Sequence, residues 1–217
     1  MTDDELHRNI TDELLWDPRV VDSDDIEVCV RHGTVALTGS VGSYRQKREA
    51  QKAAERVQGV VSVDNRLDVE PDVPYRRDDA DLRADVLDAL MLDAMVPRTV
   101  GAHVDDGVVT LTGTAAWQYQ RDEAAFVAGN VPGLTGLRNE ILLVGPQPNA
   151  RHVKYAIEQA LQRHATLDAR GIGVDTDNGT VTLTGTVRSW LEHDAALAAA
   201  WAAPGVVDVD DRIGVRP

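Results

Sequence analysis

Residues 33–41 read GTVALTGSV, residues 107–115 read GVVTLTGTA, and residues 179–187 read GTVTLTGTV. The copies lie 74 and 72 residues apart (107 − 33 and 179 − 107), and in each the first glycine is followed 26 residues later by another: Gly59, Gly133 and Gly205. A period near 72 is too long for a solenoid rung and long enough for a small domain. Within the phrase, Val35, Leu37 and Val41 alternate with smaller or polar neighbours, the pattern of a half-buried strand. The turn before it reads Arg31-His32-Gly33, Asp105-Asp106-Gly107 and Asp177-Asn178-Gly179. Asp-Gly and Asn-Gly suit two-residue hairpins because both central residues take positive φ. Each copy is therefore expected to hold a β-hairpin.

Outward from the hairpin, the rest of the unit falls into place. Residues 3–16 carry Leu6, Ile10, Leu14 and Leu15 at helical spacing, with Thr2 or Asp3 as cap and Pro18 as stop. Ile26, Val28 and Val30 mark the first strand. After the hairpin, residues 43–57 predict a second helix with Ala50, Ala53, Ala54 and Val57 on one face, ended by Gly59. Val61, Val63, Leu67 and Val69 make a third strand, and a helix between two strands suits a parallel crossover. The unit is αββαβ. The same order is expected over helix 79–95, strands 99–104 and 108–114, helix 116–131 and strand 134–144. It is expected again over helix 150–164, strands 170–176 and 180–186, helix 189–203 and strand 206–215. Polar, proline-bearing linkers at 71–78 (PDVPYRRD) and 145–149 (GPQPN) separate domains at 1–71, 78–145 and 149–217. The fold class is α+β: three tandem domains, each a small three-stranded mixed sheet covered by two helices.

The chain of 217 residues has a formal charge of −14, distributed as −7 over 1–72, −5 over 73–146 and −2 over 147–217. Such a surface repels phosphate backbones, so nucleic acid is not an expected partner. Aromatic residues are only 4%, so the cores must rest on Val, Leu, Ile and Ala. Cys29 is the single cysteine, which rules out an internal disulfide. The acidic N-terminus has neither a basic nor an apolar signal region, and no apolar run reaches spanning length. The expectation is a cytoplasmic protein.

The αββαβ unit, with G-x-V-x-L-x-G-x-V at 33–41 and 179–187 and a variant at 107–115, resembles the BON domain, named for bacterial osmotic-stress and nodulation proteins. The downstream segment Gly59-Val60…Asn65-Arg66-Leu67-Asp68-Val69 fits the same family and recurs as Gly205-Val206…Asp211-Arg212-Ile213-Gly214-Val215. The second copy departs from it at Gly133-Leu134-Thr135-Gly136 and Asn139. The resemblance implies a binding module for phospholipid membranes or other ligands, often in envelope-stress proteins, and brings no catalytic set. Many relatives are exported and periplasmic.

The residues themselves point the same way. The histidines, 7, 32, 103, 152, 164 and 193, share no column across the copies, and no HExxH, CxxC, GxSxG or P-loop pattern occurs. No cofactor and no enzyme activity are expected. Asp175-Thr176-Asp177-Asn178-Gly179 imitates a calcium loop but has Thr180 and Thr186 where glycine and glutamate are needed, so it reads as a hairpin turn.

Function is expected where the copies disagree. On the second helix of the first copy, Arg45, Arg48, Lys52 and Arg56 form one basic stripe at helical spacing, either a dock for an anionic head group or acidic partner or a solvated face. On the matching helix of the third copy, Trp190, Leu197 and Trp201 form an apolar stripe away from the alanine core. The first copy has Gln51 and Glu55 in place of the last two. That stripe is expected to be an exposed interface for another domain, another protein or a membrane surface, the alternative to lipid association being a protein-interaction scaffold or a small-ligand or cation-binding module. Trp117 and Tyr119 begin the equivalent helix of the second copy.

Overall fold

The computed structural model describes residues 1–21, 23–72, 75–144, 150–163 and 171–216. Residues Met1–Thr114 with Gln120–Leu142 form one compact unit, and Ala115–Tyr119 with Leu143–Pro217 a second. The linker stretch 145–149 and the end of the predicted helix at 164 lie outside the described residues.

Repeat one contains α1 (Asp3–Trp16), β1 (Ile26–Arg31), β2 (Thr34–Val41), α2 (Tyr44–Arg56), β3 (Ser62–Asn65) and β4 (Asp68–Val69). Thr2 caps α1 through a reciprocal capping box with Glu5, and the carboxylates of Asp3, Asp4 and Glu5 favour the positive end of the helix dipole. β2 is the centre of the sheet, antiparallel to β1 and parallel to both β3 and β4. The helices bury Leu6, Ile10, Leu14, Ala50, Ala53 and Ala54 with Val35, Leu37 and Val41 of β2. The alternate residues Glu27, Cys29 and Arg31 of β1 are exposed.

Repeat two has α3 (Asp79–Leu92), β5 (Gly101–Asp105), β6 (Val108–Thr112), β7 (Thr114–Ala115), α4 (Gln118–Ala128), β8 (Gly136–Asn139) and β9 (Leu142–Leu143). Repeat three has α5 (Ala150–Arg163), β10 (Ile172–Asp177), β11 (Thr180–Val187), α6 (Trp190–Trp201) and β12 (Asp208–Val215). Both keep the topology of repeat one, with an antiparallel hairpin followed by a parallel third strand.

The repeated glycines hold the backbone where other residues strain. His32 and Gly33 have φ of 51° and 79°, the left-handed pair that a tight hairpin turn requires, and the other two turns match them. The turn is then clasped from both sides. Asp3 accepts the His32 amide at 3.1 Å, Asp79 accepts those of Asp106 and Gly107 at 3.0 and 2.9 Å, and the Gly33 carbonyl accepts from Val61 at 2.8 Å.

The predicted third strand is continuous only in repeat three. In repeat one Asn65 interrupts it: Oδ1 accepts the Leu67 amide at 3.3 Å, while Nδ2 donates to the Lys47 carbonyl of α2 at 2.8 Å. Asn139 does the same in repeat two, to Ile141 and to the Arg121 carbonyl of α4. The kink turns Leu67 and Ile141 fully into the core. One amide side chain thus ties the middle of the third strand to the second helix.

Candidate interaction surface

The basic stripe is not a free surface. Arg56 Nη2 lies 2.7 Å from Asp17 Oδ2 and 2.9 Å from Glu13, both at the end of α1. Asp17 is buried, and Arg19 meets it with two further hydrogen bonds of 2.9 and 2.7 Å. These partners hold the Asp17 carboxyl far below the usual carboxylate range, the Arg19 bonds most of all, and raise Arg19 in turn. Arg19 also reaches the buried Glu49 at 3.0 Å, and Arg48 lies 3.6 Å from the same carboxylate. A network of this kind fixes geometry more than it adds net stability, because desolvating each charge offsets much of the attraction.

Arg48 faces repeat two. Its Nη2 donates to Asn130 Oδ1 at 3.0 Å, and its guanidinium carbon sits 4.8 Å from the Phe126 ring centroid. Of the four predicted contacts, then, Arg48 and Arg56 hold the molecule together. Arg45 and Lys52 stand exposed, with no ion pair among the described residues.

The expectation of an exposed tryptophan stripe is also corrected. Leu197 and Trp201 are half-buried and pack against the core of their own repeat, with Ala160, Ile172, Val209 and Ile213. The reason is steric. The buried face of α6 is made of Ala196, Ala199 and Ala200, so larger flanking side chains fold inward to cover it. Trp190 is half-buried too, its ring centroid 4.7 Å from that of His193 in an edge-to-face arrangement. Leu191 between them is exposed.

The large apolar exposure lies elsewhere, at the ends of the first helices. Leu15 and Trp16 are 59% and 80% exposed, and at the equivalent positions of repeat two Met91 and Leu92 are 67% and 87% exposed. Val21 flanks the first pair and Met95 the second, both exposed. Repeat three has Gln162 and Arg163 there. Trp16 borders a cleft of about 440 Å³ with Glu13, Asp17, Pro18, Arg19 and Arg56. Below Met91 and Leu92 lies a cleft of about 590 Å³ reaching Leu87, Val96 and Val100. Helical spacing groups Leu15 with Leu6, Ile10 and Leu14 and gives no sign that Trp16 is exposed. Aligning the first helices of the copies would have exposed both, because an apolar pair stands beyond the last buried leucine in two copies and a polar pair in the third.

Among the described residues no three His, Cys, Asp or Glu side chains are gathered to hold a metal, and no helix is long and apolar enough to cross a membrane. Three hairpins with a parallel third strand, each overlaid by two helices, define a tandem αββαβ protein. The chain belongs to the BON domain family, whose profile matches residues 2–71, 78–145 and 150–217. It is 36% identical over 126 residues to osmotically-inducible protein Y of Escherichia coli (strain K12), a match covering 56% of this chain and 63% of that protein. Among solved structures it is similar to CdsD, a structural protein of the type III secretion system of Chlamydia trachomatis. That likeness has 16% identity and a TM-score of 0.28, and covers 98% of this chain and 93% of the other. The PrgH periplasmic domain gives 12% identity and a TM-score of 0.25, covering 95% and 99%.

Proposed function

We propose that this chain is a non-catalytic BON-domain binding module of the stress response that associates peripherally with phospholipid surfaces. The observation that carries the reading is the pair of apolar helix ends, Leu15-Trp16 and Met91-Leu92, exposed at equivalent positions of two repeats. Side chains of this size on a soluble surface find a favourable environment at the boundary between head groups and acyl chains, where tryptophan sits well. The osmotically-inducible relative supports the stress context. The net charge of −14 opposes a purely electrostatic attachment to anionic lipid, so apolar insertion is the main contact. Arg45 and Lys52 are the remaining cationic candidates on α2.

Co-sedimentation with phosphatidylcholine vesicles, and with vesicles containing phosphatidylglycerol, over a salt series tests this reading. Binding to both that survives salt is the expected result. Binding only to anionic vesicles that salt abolishes would transfer the contact to Arg45 and Lys52. No binding to either overturns the lipid reading and leaves a protein-contact module, for which exposed Leu191 on α6 beside the half-buried Trp190 is the favouring feature.

A further inference from the structure

In every repeat the second helix meets the third strand through the same two positions: Lys47 with Asn65, Arg121 with Asn139, and His193 with Asp211. In the first two repeats the asparagine amide donates to the helix carbonyl, at 2.8 and 3.0 Å, and the helix cation reaches back to a strand carbonyl. An ionised aspartate has no proton to give, so the first of these bonds cannot form in repeat three. Asp211 keeps the other half of the device, accepting the Ile213 amide at 3.0 Å. Its second oxygen lies 2.8 Å from Nε2 of His193, which is buried.

The other ring nitrogen decides what this pair does. Nδ1 lies 3.6 Å from the Asp194 carboxylate and has no hydrogen-bond partner. A protonated imidazole turns an N–H toward each carboxylate. A neutral ring has one N–H for the two, and must face the other with a lone pair. The elements packed against α6 are β11, β12 and α5. β11 carries no titratable side chain, and Glu158 of α5 is not within ion-pair distance of the ring. On β12, Asp210 is paired with Arg212; on α6, Glu192 accepts the Arg188 amide. Asp194 and then Asp211 raise the imidazole above its ordinary 6.5, with burial working against them.

We infer that His193 and Asp211 form a pH-sensitive latch between α6 and β12, closed by a proton at low pH and loosened as the pH rises. A group whose folded-state pKa is raised contributes stability that is complete below its unfolded value. That stability is lost as pH rises through the folded value. Each pKa unit of elevation corresponds to about a tenfold fall in the folding constant of repeat three between pH 6 and pH 9.

The test uses the full chain. Proton NMR of the His193 ring gives its titration, and urea unfolding at pH 6 and pH 9, read from α6 amide signals, gives the stability of repeat three. The variant Asp211→Asn should regain the amide-to-carbonyl bond of the other repeats and lose the part of the pH dependence that Asp211 supplies, while staying folded. Adding His193→Lys should remove the remainder. Titration of His193 at or below 6.5 overturns the latch. So does an unfolding profile whose fall from pH 6 to pH 9 is the same in the wild type and the double variant.

Discussion

Arg56 donates to the buried Asp17 carboxylate at 2.7 Å, so the last cation of the α2 stripe is bound to the foot of α1. Arg19 holds the same carboxylate through both of its oxygens. Removing one guanidinium leaves the other in place. Arg56→Ala should therefore cost repeat one about 1–3 kcal/mol, toward the lower end because the arginine is nearly half-exposed and screened. Urea unfolding at pH 7 measures this, and an unchanged midpoint would show the pair to be incidental.

The same pairing sets an acid dependence. Asp17 has a lowered folded-state pKa, so its contribution is fully present above the unfolded carboxylate value near 3.8 and is lost progressively as pH falls from there toward the folded one. Asp17→Asn should therefore narrow the stability gap between pH 6 and pH 2 for repeat one. Equal gaps in the wild type and the variant would contradict this.

Arg48 couples repeats one and two through Asn130 and Phe126. A double-mutant cycle with Arg48→Ala and Phe126→Ala should return a coupling of about 0.5–1 kcal/mol. A coupling near zero would mean that the contact carries no energy.

Gly39 has φ of +108°, and a Cβ there would clash with the Asp25 carbonyl oxygen. Backbone, rather than a movable side chain, is the obstacle. Gly39→Ala should destabilise repeat one by more than about 2 kcal/mol, seen as a lower unfolding midpoint by circular dichroism.

The architecture was legible because it rests on local signals. Turn chemistry at His32-Gly33, alternation in β2 and the alanine face of α2 each reflect interactions within a few residues. What escaped depends on long-range contacts. Asp17 and Arg56 are 39 residues apart in sequence, so a charge stripe read from helical spacing looked free when half of it was paired. Leu15 shares the helical spacing of Leu6, Ile10 and Leu14, but Leu14 takes the buried position in the last turn of α1 and Leu15 is left exposed. His193 has no histidine counterparts, yet it stands where Lys47 and Arg121 stand, and comparison by charge would have found that column.

The apolar helix ends are the centre of the functional account, and removing them is its most direct test. Partitioning onto phosphatidylcholine vesicles should be compared between the wild type and Trp16→Ser/Leu92→Ser, with circular dichroism showing that both are folded. Two large side chains leaving water on insertion predict a loss of tenfold or more for the variant, from about 1.5–3 kcal/mol for each fully buried side chain. Equal partitioning of the two proteins would contradict the account.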